Sequence, residues 1–443
     1  MPSRLLAAGL LVASALLAWT AVSSTLVARS LQAAIAASMV YVGFLAWRGW
    51  QTLHSAFADA GSGSGIATGL AIDLPHVTVI VPARDEAAVI GALIGDLRAQ
   101  AYAADGQPRF DILVVDDGSR DGSGELLRAM AASAGPTLQV VRREPGEGLR
   151  TKGAVLAFAM PAVRGEVLAV LDADARVAPD FVERAMRAWD RDSSAAALQV
   201  QRREYNAGAD WLAAAQQEEQ LMDLASQCGR WATDGTAELR GNGMFIRRDI
   251  LERIGGWSPE SLTEDLELST RLVRAGEHVT LAPEATVGEE AVESPAALWR
   301  QRLRWAEGSL RRLLEHGPAL MTGKLPLGRK LDFLAFVAEF VIPPLFIASL
   351  VAGLVTALLP RGADWTVPAS LFAGYGIGTF LLALAGLAAD GARGLALLGR
   401  ATRGSLFLSH WLLVVPAALL LIAVGPRTTA FAKTPRSGPT PDR

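Results

Sequence analysis

The chain is short of charge. Asp, Glu, Lys and Arg make up 20% of its 443 residues, against about 25% in ordinary soluble domains. Apolar residues reach 51% and mean hydropathy is +0.28, which excludes a wholly water-exposed protein. Net charge is also missing: 42 Lys plus Arg face 45 Asp plus Glu, leaving -3. There is no basic field, so nucleic acid is not an expected partner. The single cysteine, Cys228, permits neither an internal disulfide nor a Cys-rich zinc site, which fits a reducing compartment. The five histidines form no His-Glu-x-x-His zinc pattern, and Gly148 to Gly153 has a lysine but lacks the Gly-Lys-Ser/Thr ending of a Walker loop.

What is present divides into apolar ends and an ordinary middle. Leu5 to Ala28 holds 24 residues without a charge between Arg4 and Arg29, roughly 36 Å as a helix and long enough for a ~30 Å hydrocarbon core. A cleaved signal peptide is the alternative, but its apolar stretch is usually only about 7 to 15 residues. Leu31 to Trp47 is a second run, ending in the anchor pattern Trp47-Arg48-Gly49-Trp50. Three more follow: Phe333 to Leu359 with Glu339 and Pro343-Pro344, Trp365 to Ala389, and Ser405 to Gly425 with His410. We therefore expect a transmembrane hairpin over 1–50, a linker over 51–75 that includes Gly61 to Gly65, a catalytic domain over 76–292, an amphipathic segment over 293–330, about three spans over 331–426 and a tail over 427–443. Arg4, Arg393, Arg400 and Arg403 place the central domain on the cytoplasmic side of an inner membrane by the positive-inside rule, whereas Arg427, Lys433 and Arg436 in the tail do not fit it.

In the middle, Val77 to Val81, Ile112 to Val115, Leu138 to Val141, Val167 to Leu171 and Ala195 to Val200 are strand-length apolar runs. They alternate with helical stretches such as Ala87 to Gln100 and Gly124 to Ala134, the pattern of a mostly parallel α/β sheet. Ligands of such sheets bind beyond the carboxyl ends of the strands. There the sequence sets Pro82, Arg84 and Glu86 after the first run and Asp116-Asp117-Gly118 after the second. These acidic residues suit ribose hydroxyls or a uracil imide, although Asp and Gly also form turns. Asp172-Ala173-Asp174 offers hard oxygens for Mg²⁺ or Mn²⁺ and a substrate diphosphate, with pairing to Arg176 as the alternative, and Lys152 adds a cation. Thr263-Glu264-Asp265 follows glycine-rich Arg240-Gly241-Asn242-Gly243. Thr263 is the expected N-cap of a helix over Glu264 to Ala275, and Asp265 an oriented general base. Over Ala296 to Glu315, Trp299, Leu303, Ala306, Leu310 and Leu313 share one helical face, while Gln301, Arg304, Trp305, Gly308 and Arg312 share the other. This predicts a helix lying in the membrane surface with its apolar side in lipid.

In order, Asp116-Asp117-Gly118, Asp172-Ala173-Asp174, Thr263-Glu264-Asp265 and Gln301-Arg302-Leu303-Arg304-Trp305 resemble the D, DxD, TED and QxxRW signature of membrane-integrated family 2 glycosyltransferases, the group of the cellulose, chitin and hyaluronan synthases. Glu238 to Arg248, Gly255-Gly256-Trp257 and Arg304 to Gly308 are most similar to the β-monoglucosyldiacylglycerol synthases. The resemblance implies a GT-A fold, a UDP-sugar donor, a divalent metal and inversion at the anomeric carbon. It makes Asp117, with Asp116, a uridine contact, Lys152 a diphosphate contact, Asp172 and Asp174 the metal site, and Asp265, beside Glu264, the base. It also assigns Gln301, Arg304 and Trp305 to donor diphosphate and acceptor. The acceptor is then a membrane lipid such as diacylglycerol. A processive polysaccharide synthase remains an alternative at this point, and a transporter leaves the acidic motifs unexplained.

Overall fold

The computed structural model describes residues 2–61, 74–144, 146, 148–359 and 365–425. Most of the expected glycine joint and the whole basic tail lie outside them. The chain separates into two units. Among the described residues, one holds those within 2–54, 218–236 and 298–425, the other those within 55–217 and 237–297. The expected contiguous division is thus interrupted, because residues 218–236 group with the terminal helices.

The second unit is built on an eight-stranded sheet. Its strands are β1 (Val77–Ala83), β4 (Phe110–Asp116), β5 (Leu138–Arg142), β6 (Val167–Val170), β7 (Arg176–Val177), β8 (Ala197–Glu204), β9 (Met244–Arg247) and β10 (Val279–Glu289). A two-residue hairpin, β2 (Ala103–Ala104) and β3 (Gln107–Pro108), stands apart. The order is β5-β4-β1-β6-β9-β8-β10-β7. The first four strands are parallel, β9 runs antiparallel between β6 and β8, β8 and β10 are parallel, and β7 is antiparallel at the edge. Side chains alternate across a strand, so the apolar runs feed two cores. Val77, Val79, Val81, Ile112 and Val114 pack on one face with Leu127, and Ile80, Leu113, Val115, Leu168 and Val170 on the other with Val155, Leu156, Leu268 and Leu272. Both faces being covered explains why the runs are continuous rather than alternating.

Element edges differ from expectation by a few residues. The first helix is Ile90–Arg98, the strand expected at Ala195 to Val200 runs Ala197–Glu204, and the helix expected to reach Ala275 is Glu264–Arg274.

The first unit is helical. Among the described residues, five helical segments are long and apolar enough to cross a membrane: Ser3–Ser23, Thr25–Ala58, Leu327–Ala357, Thr366–Ala389 and Gly394–Val424. The first run breaks at Ser24 rather than continuing to Ala28. The last is two helices, Gly394–Leu408 and Trp411–Val424, so its helical part begins well before Ser405. Large apolar side chains such as Leu5, Leu26, Val40 and Leu358 are exposed, as a lipid-facing surface requires.

The C-terminal part of helix Trp211–Trp231 belongs to this bundle because glycines let backbones meet. A Cβ on Gly49 would stand 2.0 Å from the Ala225 carbonyl oxygen, one on Gly229 2.3 Å from that of Leu45, and one on Gly386 2.2 Å from that of Leu221. Buried charge adds to this docking. Glu218 meets Arg400 and Arg403, and Arg230 meets Asp332, which also accepts a 2.7 Å hydrogen bond from Tyr41.

Helix Pro295–Thr322 departs from the expected interfacial helix. Ala306 and Leu310 pack against Val414, Val415 and Ala418, and on the other faces Arg302, Glu307 and Arg312 are buried as well. The Ala306 and Leu310 part of its apolar face therefore packs on protein, while Trp299 is exposed.

Candidate active site

Strand parity sorts the first acidic pair. Asp116 continues the Ile112, Val114 face and turns inward, 1% exposed, where its Oδ1 accepts the Ser119 amide at 2.9 Å and its Oδ2 meets Arg142 at 2.6 Å. It holds the turn, and the expected shared contact with a nucleotide is not its position. Asp117 falls on the opposite face and lines a shallow cleft with Arg84, Gly118, Arg120, Arg143, Glu144, Gly146, Gly148 and Arg150. Arg143, itself buried, donates to Asp117 at 2.6 Å and to the Leu149 carbonyl at 3.0 Å, while Arg84 stands 3.8 Å from the other Asp117 oxygen. Pro82 pairs with Val115 inside the sheet, and the Glu86 amide is tied to Ser123 at 2.8 Å. Those two residues shape the loop after β1; the cleft lining comes from the residues just named.

The second centre gathers around Lys152. Thr151 caps its helix by accepting the Ala154 amide at 3.1 Å, which fixes where the lysine starts. Its ammonium meets Asp172 Oδ1 at 2.5 Å, the Gly241 carbonyl at 3.1 Å and Glu264 Oε1 at 3.5 Å. Burial alone would lower this ammonium, but the carboxylates of Asp172, Glu264 and Asp265 outweigh it and hold Lys152 above its usual range. Asp172 extends the Leu168, Val170 parity of β6, so it emerges on the lysine's side of the sheet. Its amide donates to Asn242 at 3.1 Å.

Asn242 is 1% exposed and also donates to Glu289 at 3.2 Å, and Glu289 is bound by both ends of the Arg202 guanidinium. The Arg240 amide donates to Gln199 and its guanidinium pairs with Glu238 at 3.1 Å. Gly241 is required here: its φ is +79°, and a Cβ would lie 3.1 Å from Asp265 Oδ2.

Glu264 and Asp265 open helix Glu264–Arg274, whose first turn is acidic. Thr263 occupies the cap position, yet its hydroxyl is buried with no hydrogen-bond partner, so the expected side-chain cap is absent. Burial pushes the Glu264 carboxyl up to about 7, with Lys152 opposing and Asp265 adding to the rise. Burial likewise raises Asp265, against the Leu266 amide and the charges of Lys152, Arg240 and Arg202. Carboxyls whose proton affinity is raised by burial are stronger bases than exposed ones.

Asp174 is buried, and its Oδ2 accepts the Glu290 amide at 3.3 Å. Arg176 pairs with Asp96 at 2.6 Å, not with the Asp172-Ala173-Asp174 carboxylates. Among the described residues no three His, Cys, Asp or Glu side chains converge into a metal cage. Asp172 and Asp174 thus offer two hard oxygen groups, the donor set of a Mg²⁺- or Mn²⁺-type ion that takes its remaining ligands from water and substrate phosphate.

Gln301, Arg304 and Trp305 lie in the helical unit. There the guanidinium of the intervening Arg302 donates to Gln301 at 3.0 Å and stands 4.1 Å from the centre of the Trp305 ring. Sequence reasoning passed over Arg302 and Arg143. The first fills an unspecified place in its motif. The second is signalled only by a basic doublet at the end of β5.

A family model described as "Glycosyltransferase like family 2" matches residues 75–308. The chain is 31% identical over 378 residues, 84% of its length and 77% of the relative's, to a β-monoglucosyldiacylglycerol synthase of Synechocystis sp.. It is 30% identical over 376 residues to the enzyme of that name from Nostoc sp., covering 82% of this chain and 77% of that one. Among solved structures, a mannosyltransferase from Pyrobaculum calidifontis in complex with GDP-Man and Mn²⁺ superposes with a TM-score of 0.61 at 20% identity, over 90% of this chain and 99% of that one. The strand order, the acidic clusters at strand ends and these matches lead to one assignment: the chain is an enzyme of glycosyltransferase family 2, with a GT-A catalytic fold and helices long and apolar enough to span a membrane.

Proposed function

We propose that the enzyme transfers a hexose, glucose in the first instance, from a UDP-sugar to a hydroxyl of a membrane lipid such as diacylglycerol, inverting the anomeric centre. The observation that carries this is the centre around Lys152, whose ammonium meets Asp172 at 2.5 Å and Glu264 at 3.5 Å, with Asp265 next to Glu264 on the same helix turn. It supports a donor diphosphate on one side and a proton acceptor on the other. The β-monoglucosyldiacylglycerol synthase relatives, matched over 84% of the chain, supply the lipid acceptor and the sugar.

In this reading Asp117 takes the uracil imide at the arginine-lined cleft, with Arg84 beside it. Asp172 and Asp174 would hold Mg²⁺ or Mn²⁺, which supplies Lewis-acid neutralisation of the diphosphate when bound. Lys152 meets the diphosphate oxygens from the protein side. Asp265, given room by the absent side chain of Gly241 and raised by burial, takes the proton of the acceptor hydroxyl as its oxygen attacks the anomeric carbon opposite the departing diphosphate. Glu264 keeps the local charge in balance with Lys152. Arg240 and Asn242 hold the carboxylate frame, and Gln301, Arg304 and Trp305 take donor diphosphate and acceptor. The catalytic domain stands on the cytoplasmic side of an inner membrane, as Arg4, Arg393, Arg400 and Arg403 imply.

Purified full-length protein in mixed micelles with radiolabelled UDP-glucose, Mg²⁺ and dioleoylglycerol should yield a single-sugar lipid on thin-layer chromatography. A long polymer formed without lipid, or no product with any UDP-sugar, overturns the reading.

A further inference from the structure

Two adjacent carboxylates of helix Trp211–Trp231 are both engaged within the helical unit. Glu218, fully buried, takes Arg400 and Arg403 from helix Gly394–Leu408, which fixes this stretch of helix. Its neighbour Glu219 accepts a 3.0 Å hydrogen bond from the indole nitrogen of Trp411 and pairs with Arg302. Arg302 is 1% exposed, the most voluminous of the fully buried side chains. It stands one residue from Gln301 and three from Trp305, so both lie within its reach on the helix. Its guanidinium donates to the first at 3.0 Å and stacks 4.1 Å from the ring centre of the second. A planar guanidinium held along one edge has a fixed plane, and the indole under it packs against a surface that does not turn. A lysine would keep the charge and lose the plane.

We propose that Glu219 and Arg302 are positioning residues that set the orientation of the Trp305 indole, and with it the affinity for the acceptor. This inference rests on the reading in which Trp305 meets the acceptor.

The test compares wild type, Arg302→Lys, Glu219→Gln and Trp411→Phe as full-length protein in mixed micelles, with dioleoylglycerol and UDP-glucose varied separately. KM for dioleoylglycerol should rise at least fivefold in Arg302→Lys and Glu219→Gln and about twofold in Trp411→Phe. KM for UDP-glucose should rise by less than the KM for dioleoylglycerol in each variant. Because the two act through one link, the double variant should be no worse than Arg302→Lys alone. Acceptor KM within twofold of wild type in both single variants overturns the inference, as does a loss of kcat that follows the unfolding midpoint with both KM values unchanged. If Arg302→Lys fails to fold, Glu219→Gln alone decides by the same criteria. A wild-type chain that transfers nothing to dioleoylglycerol overturns the lipid reading and this inference together. Wild-type transfer with unmoved variants overturns this inference alone.

Discussion

Replacing Glu264 by Gln should make the enzyme more stable while disturbing its centre. Burial raises this carboxyl from its ordinary 4.5 to about 7. Between those values the folded form binds more protons than the unfolded chain, so stability falls as pH rises through that window. With 1.36 kcal/mol per pKa unit, the buried carboxylate costs about 3 kcal/mol at pH 8 and about 1 kcal/mol at pH 5, relative to a neutral isostere. Lys152 is not orphaned by the change, because Asp172 remains at 2.5 Å. At roughly 2–4 °C per kcal/mol for a domain of this size, Glu264→Gln should raise the unfolding midpoint by about 6–12 °C at pH 8 and by about 2–4 °C at pH 5. Scanning fluorimetry of the detergent-solubilised full-length protein across that pH range measures both. An equal rise at the two pH values, or none at pH 8, refutes the assignment of a strained carboxylate to this position.

Asp265→Asn should lower kcat by about 10²–10⁴-fold while UDP affinity, read by calorimetry, stays within twofold; unchanged turnover removes Asp265 from the base role. Asp174→Asn should weaken Mn²⁺-dependent UDP binding, and wild type treated with EDTA should behave alike in the same titration. Arg143→Leu strips a buried partner from Asp117, so it should cost about 3–5 kcal/mol of stability and weaken UDP binding, both measurable by denaturation and calorimetry on one preparation. Gly241→Ala forces a side chain into a φ of +79° with its Cβ 3.1 Å from Asp265. It should cost about 1–2 kcal/mol in a melting assay and reduce kcat more than the donor KM.

The parallel half of the sheet was legible because its strands are continuous apolar runs with two covered faces, and no other element of that length reads so. Terminal spans were legible for the same reason at a different length. Boundaries slipped where local chemistry is silent. Ser24 breaks the first long helix without proline or glycine, and helix Gly394–Leu408 carries Arg400 and Arg403, which hid it from a search for uncharged residues. Their charge is absorbed by Glu218, a partner 182 and 185 residues away in sequence.

The same distance in sequence explains which site residues were hidden. A motif names residues whose spacing is local, and Asp117, Asp172 and Asp265 were found because each stands at the end of a recognisable element. What sets their chemistry is supplied from elsewhere: Lys152 brings together Asp172 and Glu264, Gly241 makes room for Asp265, and Arg143 fixes Asp117. Parity along a strand then divides apparent equals. Asp116 and Asp117 are adjacent and identical in type, yet one residue of alternation turns the first into the core to hold Ser119 and Arg142 and leaves the second facing the cleft. Asp116→Asn should accordingly lower stability with little change in UDP affinity, whereas Asp117→Asn, which also takes the carboxylate away from buried Arg143, should lower stability and UDP affinity together, so calorimetry on the two variants tests whether parity, rather than motif membership, assigns the role.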